Sequence, residues 1–347
     1  MRKQLGLSLV ELMISITLGL VLMTGVIQMF LSSKSTFNNQ QSLSRIQETG
    51  RLAIDFIARD VRMAAYYGCA KNSSGAVTLL NDLTVSGLHE NFGVGIMGYD
   101  TAANVPHGAS TDLSASPIPV TDTSILVVRS ASQLGSLINA PSNDNNVFAY
   151  TSAAAVDPNN CVGNLCKGGA AVATDCAKSM VFAINSLAVV ANKLTINHTD
   201  AWAKVVAGES TPITFVAGQV MPMNTTVYFL ATRAGSNIPS LWQKINNGTP
   251  IELLEGVEKM NVTYATLDTP PKPRVITTGY RKASEIAAAD WPNVISVRVD
   301  LVVSSLENNV LGKPEPYKFL GKEIANDQRL RQVFSSVITI RSRMPVR

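Results

Sequence analysis

The stretch GLSLVELMISITLGLVLMTGVIQMFLSS, Gly6 to Ser33, decides how the rest of the chain is read. Between Glu11 and Lys34 it holds 22 residues without a formal charge, most of them Leu, Ile, Val, Met or Phe. Wound as a helix at ~1.5 Å per residue, that run is about 33 Å long and covers a hydrocarbon core of roughly 30 Å. The expectation is a membrane segment with one carboxylate, Glu11, near its start. Such a carboxylate is costly in lipid unless it is neutralised or paired, so its presence asks for a partner.

Arg2 and Lys3 precede the run and no comparable basic cluster follows it. The positive-inside rule then keeps the N-terminus cytoplasmic and sends the body outward. A secretory signal peptide would place a small-residue cleavage site after the apolar region. Ser32-Ser33-Lys34-Ser35-Thr36-Phe37 offers none. Instead Phe37, Leu43, Ile46, Ala53, Ile57, Val61 and Ala64 recur at helical spacing, one face of a helix that continues to about Tyr66. Asp55 with Arg59 and Glu48 with Arg51 lie on its polar side, and Gly50 is expected to mark a bend.

Beyond Gly68 the composition favours strands and turns: the 347 residues include 23 Gly and 16 Pro, and the charged fraction is 16%. Candidate strands are Val77–Leu80, Ser124–Arg129, Val147–Thr151, Met180–Ile184, Leu187–Ile196 and Thr226–Arg233. Ile295, Val297, Val299, Leu301 and Val303 alternate with Ser296, Arg298 and Asp300, as in a half-buried antiparallel strand. A last strand runs from Val333 to Ile340. Pro117–Pro119, Pro270–Pro273 and Asn143–Asn146 read as loops. The fold class expected is α+β, a spine helix packed on an antiparallel sheet.

The N-terminal stretch resembles the type IV prepilin signature: a short basic leader ending in Gly6, an apolar first mature residue, Leu7, and a Glu at the fifth position after the cut, Glu11. Leu7 stands where Phe is usual. The resemblance implies that a prepilin peptidase cleaves after Gly6 and methylates the amine of Leu7, and that Glu11 meets the N-terminal amine of an adjacent subunit. ELLEGVEKMNVTY (Glu252 to Tyr264), WPNVISVRVDLVV (Trp291 to Val303) and LRQVFSSVITIRSR (Leu330 to Arg343) are similar to blocks of the PilW family of minor pilins. Arg341-Ser342 replaces the usual Arg-Asn. The implied organisation is a leader (1–6), the membrane half of a helix (7–33), its amphipathic half (34–66) and an extracytoplasmic pilin domain (67–347). The implied function is a subunit stored in the inner membrane, its body periplasmic, that helps prime pilus assembly and sits near the tip. Its partners are the peptidase, lipid before assembly, and the major and other minor pilins through their N-terminal helices.

Four cysteines, Cys69, Cys161, Cys166 and Cys176, lie outside the apolar run. In an oxidising compartment they form two disulfides with three possible connectivities. We favour Cys161 with Cys166, a short staple, and Cys69 at the helix end with Cys176. A zinc site needs more ligands than this spacing offers, so no metal or cofactor is expected.

Gly93-Val94-Gly95-Ile96-Met97-Gly98 spells a dinucleotide-binding string but leads towards Pro106-His107-Gly108 rather than a helix, and reads as a loop. His89, His107 and His198 are isolated and read as surface or turn residues. Trp202, Trp242 and Trp291 read as core anchors. Asn143–Asn146 and Asp157–Asn160 fit turns better than calcium loops. Net charge is +4, and without Arg2 and Lys3 27 basic groups face 25 acidic ones, which leaves no footprint for nucleic acid. Nothing pairs a nucleophile with a base, so an enzyme is not expected. The rival readings are a J-like pseudopilin of type II secretion, a membrane-anchored periplasmic hydrolase, and an adhesin or DNA-binding tip module.

Overall fold

The computed structural model describes residues 9–69, 77–79, 91–105, 113, 117–143, 145–199, 203–206, 209–267 and 279–343. The described residues begin in a long α-helix, Leu9–Met63, and continue mainly in strands. At ~1.5 Å per residue its 55 residues extend about 80 Å. The chain divides into two compact units. One takes the helix up to Glu48 together with Ser304–Gln332; the other takes Thr49–Val303 and the chain from Val333 onward.

In the first unit the helix is apolar and open: Leu9, Ile14, Leu18, Leu22, Val26 and Phe30 are all exposed. The unit also holds the antiparallel hairpin of Glu315–Phe319 with Lys322–Asp327. Leu320 and Gly321 turn it with φ of 49° and 80°, the left-handed pair that a tight hairpin turn uses. Behind the hairpin, Arg331 grips the Asp327 carboxylate with two nitrogens at 2.6 and 2.8 Å. That fork holds the Asp327 pKa down at about 2.

The second unit is β-rich. Its large sheet runs in the order Val77–Leu79, Ser179–Ala183, Ala170–Thr174, Gln219–Thr232, Ser136–Asn143, Asn146–Tyr150, Lys193–Asn197 and Ser186–Val190. Gln219–Thr232 is the hinge of the architecture. Its first residues pair with Ala170–Thr174 and Ser136–Asn143. Its later ones pair with Ile125–Ala131 and Pro239–Ile245. A strand of 14 residues can serve two sheet sections because its side chains are buried on both faces over most of its length. A separate three-stranded sheet orders Val257–Thr266, Val294–Ser304 and Arg331–Thr339.

The helix face that meets protein keeps the stripe expected from sequence from Ile46 onward and departs from it before that. Phe37 is 64% exposed and Leu43 40%, whereas Ser42, Ile46, Ala53, Ile57, Val61 and Ala64 are buried. Gly50 belongs to the same buried series, and the helix runs through it. A Cβ there would stand 2.3 Å from the Phe334 ring, so glycine admits the ring against the helix backbone. Helix propensity alone favours Ala over Gly by about 1 kcal/mol, a gain this close approach forgoes.

Three further readings are corrected. Leu187–Ile196 is a hairpin of Ser186–Val190 with Lys193–Asn197, turned at Ala191 and Asn192 with φ of 46° and 64°. Within the glycine string, Ile96–Tyr99 is a strand paired with Ile125–Ala131 rather than a loop. Its glycines are packing sites: a Cβ on Gly95 would strike the Ala65 backbone and one on Gly98 the Tyr264 hydroxyl. His198 is buried against Phe182, at 5.4 Å between rings, rather than at the surface. Trp242 and Trp291 are buried as expected. Trp202, His89, His107 and Pro270–Pro273 lie outside the described residues.

Both disulfides close in the favoured pairing, Cys69–Cys176 and Cys161–Cys166. They span 107 and 5 positions. Loop-closure entropy makes the first worth about 5 kcal/mol and the second about 2. The Cys69→Ala/Cys176→Ala variant should therefore lose more than twice the unfolding free energy lost by Cys161→Ala/Cys166→Ala, measured by denaturant titration of the full chain in detergent. Equal losses would contradict this ledger.

Candidate assembly helix and its clamp

Glu11 lies near the start of the described helix, and its side chain is exposed. Near it three hydroxyls of the apolar half turn back on the helix. The Ser15 hydroxyl donates to Glu11 O at 2.8 Å, Thr17 to Ile14 O at 2.9 Å and Thr24 to Leu20 O at 2.8 Å. Hydroxyls satisfied in this way can enter lipid or a helix bundle without an orphaned donor. The helix is long and apolar enough to cross a membrane. Gly6 and Leu7 lie outside the described residues.

At its other end the helix is clamped to the body. The Tyr228 hydroxyl donates to Asp60 Oδ2 at 2.7 Å, and Gln243 Nε2 reaches the Tyr228 oxygen at 3.0 Å and Asp60 Oδ2 at 3.4 Å. Tyr228 and Gln243 face each other across Gln219–Thr232 and Pro239–Ile245, so the sheet register sets the grip. Burial raises the Asp60 pKa, against the lowering effects of Tyr228, Arg59 and Gln243.

Past Met63 the chain is stitched in by backbone. Ala65 N–H donates to Arg129 O at 2.9 Å, and Ala131 N–H to Tyr66 O at 2.7 Å. Arg129 is buried in an apolar strand, donates from Nη1 to Val94 O at 2.9 Å, and its pKa is lowered to about 10 by that burial. The Ser179 hydroxyl donates to Tyr67 O, and the Tyr67 hydroxyl to Phe92 O.

The C-terminal block closes the clamp. Ser342, the residue that departs from the Arg-Asn pattern, donates its hydroxyl to Ala64 O at 2.6 Å. Arg343 donates from Nη1 to Trp291 O at 2.8 Å and Val294 O at 2.9 Å, and burial lowers its pKa to about 10. Asp60, Tyr228, Gln243 and Arg129 escaped the sequence reading. Only Arg129, a cation inside the apolar run Ile125–Ala131, left a local signal.

Residues 1–27 match the model of the prokaryotic N-terminal methylation motif, and residues 227–342 match that of type IV pilus-assembly protein W. The chain is thus similar at its apolar N-terminus to proteins that carry the methylation motif and, over about a third of its length, to PilW; that third takes in the Glu252–Tyr264 and Trp291–Val303 blocks and nearly all of the last. No curated protein and no solved structure gave a significant match.

The raised Asp60 pKa sets a pH dependence. A group whose pKa is higher folded than unfolded adds stability below its unfolded value of about 3.8, and that stability is lost as pH rises through the raised value. The stability difference between wild type and Asp60→Asn should thus move in favour of wild type on acidification from pH 7 to pH 4. Denaturant unfolding at the two pH values, followed by tryptophan fluorescence, reads this; a constant difference would contradict it.

Proposed function

We propose that the chain is a minor pilin of the type IV pilus, held in the inner membrane with its N-terminus cytoplasmic and its body periplasmic until it enters the pilus. The observation that carries the reading is a single helix with two environments. Its apolar half is exposed, with Ser15, Thr17 and Thr24 bonded back to the helix, and its other half is clamped into a β-rich body. Residues 1–6 act as the leader removed by a prepilin peptidase, which methylates Leu7. Residues 7–33 span the membrane, 34–66 carry the helix into the body, and 67–347 form the pilin domain.

The work done is packing rather than turnover. On assembly the apolar half leaves lipid for a bundle of similar helices from the major and other minor pilins, at little hydrophobic cost because both surroundings are apolar. Register then has to come from something directional. Glu11 supplies it by meeting the terminal ammonium of a neighbouring subunit, a pairing strengthened by the low dielectric of the bundle. A subunit that offers this pairing without being the bulk component suits priming of the filament and a place near its tip.

Glu11→Ala should leave leader removal intact yet lower recovery of the chain in sheared pili by about tenfold, the effect of ~1.4 kcal/mol in assembly. Immunoblots of pilus and membrane fractions read both at once. Equal pilus recovery for variant and wild type would contradict the role given to Glu11.

A further inference from the structure

The end of the glycine string opens on a cleft of about 330 Å³ that lies wholly within the second unit. Met97, Gly98, Tyr99 and Asp100 line it together with Ser284 and Trp291. Its volume is at the small end of the range for small-molecule sites, roughly 300–1,000 Å³. The clamp on the spine helix uses none of these side chains.

The polar groups around the cleft keep bonding capacity that the protein does not fill. Tyr264 is buried beside Gly98, where a Cβ would overlap its hydroxyl, and that hydroxyl has no hydrogen-bond partner among the described residues. Burial raises the Tyr264 pKa, and the nearby Asp100 charge and Tyr99 raise it further. The half-buried Asp100 carboxylate accepts Ala283 N–H at 2.9 Å and Ser284 N–H at 3.3 Å. It has no ion-pair partner among the described residues, and each of its oxygens can accept once more. Asn104, also on the cleft, takes the Thr101 hydroxyl on Oδ1 at 2.8 Å, which leaves its amide nitrogen to donate. The Tyr99 hydroxyl is engaged with Met97 Sδ at 3.2 Å, so what Tyr99 offers is its ring. An orphaned buried hydroxyl is destabilising, and a fold that keeps one asks for a partner from outside its own chain.

We propose that this cleft binds an uncharged sugar ring. A sugar hydroxyl can accept from Tyr264 and donate to Asp100 at once, and the C–H face of the ring suits the aromatic lining. An ammonium group donates but cannot accept from Tyr264, and an anion is repelled by the unpaired Asp100 carboxylate. The Tyr264 oxygen is closed to solvent, so the sugar reaches it by displacing a lining side chain; Met97, unbranched and flexible, is the one able to move aside. The cleft belongs to the body alone, so sugar binding and entry into a pilus succeed or fail separately.

Saturation-transfer NMR on the full chain, held in a detergent without sugar groups, reads binding of glucose, galactose, mannose, N-acetylglucosamine and N-acetylgalactosamine, with tetramethylammonium alongside. Expected is millimolar binding of at least one of these sugars and none of tetramethylammonium. Tyr264→Phe should weaken the sugar about tenfold while the melting temperature stays level or rises, because it removes a hydroxyl that no protein group uses. Asp100→Asn, which keeps an acceptor for Ala283 N–H, should weaken it as well. Binding of no sugar, as when water alone fills the cleft, would overturn the proposal. So would binding of tetramethylammonium in place of sugar, or wild-type sugar affinity in either variant.

Discussion

Water cannot solvate the apolar half of the Leu9–Met63 helix, and the rest of the structure follows from that constraint. A row of exposed Leu, Ile, Val, Met and Phe side chains is stable only in lipid or against other helices of the same character. The hydroxyls of Ser15, Thr17 and Thr24 return to its own backbone, which removes the usual cost of Ser and Thr in such surroundings. The charged side chain there is Glu11, and the role proposed for it is to set the position of helices that would otherwise slide.

A helix of this kind transmits position only if the body is fixed to it. The body does this by several unlike means: the Asp60, Tyr228 and Gln243 network, backbone bonds at Ala65 and Ala131, the Ser342 bond to Ala64, and the Cys69–Cys176 bridge. Most of these act within or just beyond the last turn of the helix, so a load on the spine reaches both the large sheet and the C-terminal block. Close approach at Gly50, Gly95 and Gly98 lets aromatic rings and backbone replace the missing side chains.

The long apolar helix was legible because a run without charges needs no tertiary information. So was the cysteine pairing, since Cys161 and Cys166 meet within one small hairpin. The buried helix face was legible from Ile46 to Ala64 and harder elsewhere: Ser42 and Gly50 are small, and their burial comes from what packs on them, while Phe37 and Leu43 look like core and stay exposed. Ala191-Asn192 hid a turn because Ala gives no sign of a positive φ. The glycine string spelled a motif whose meaning was steric. Asp60, Tyr228 and Gln243 converge from distant parts of the chain, so spacing holds no trace of them.

Retention of the apolar helix with a new amine at its start is the central claim, since the pairing of Glu11 depends on that amine. Mass spectrometry of the N-terminal peptide of the chain taken from sheared pili tests it directly. The account predicts a peptide that begins at Leu7 and carries one extra methyl group. A peptide that still begins at Met1, or one that begins beyond the apolar run, would contradict it.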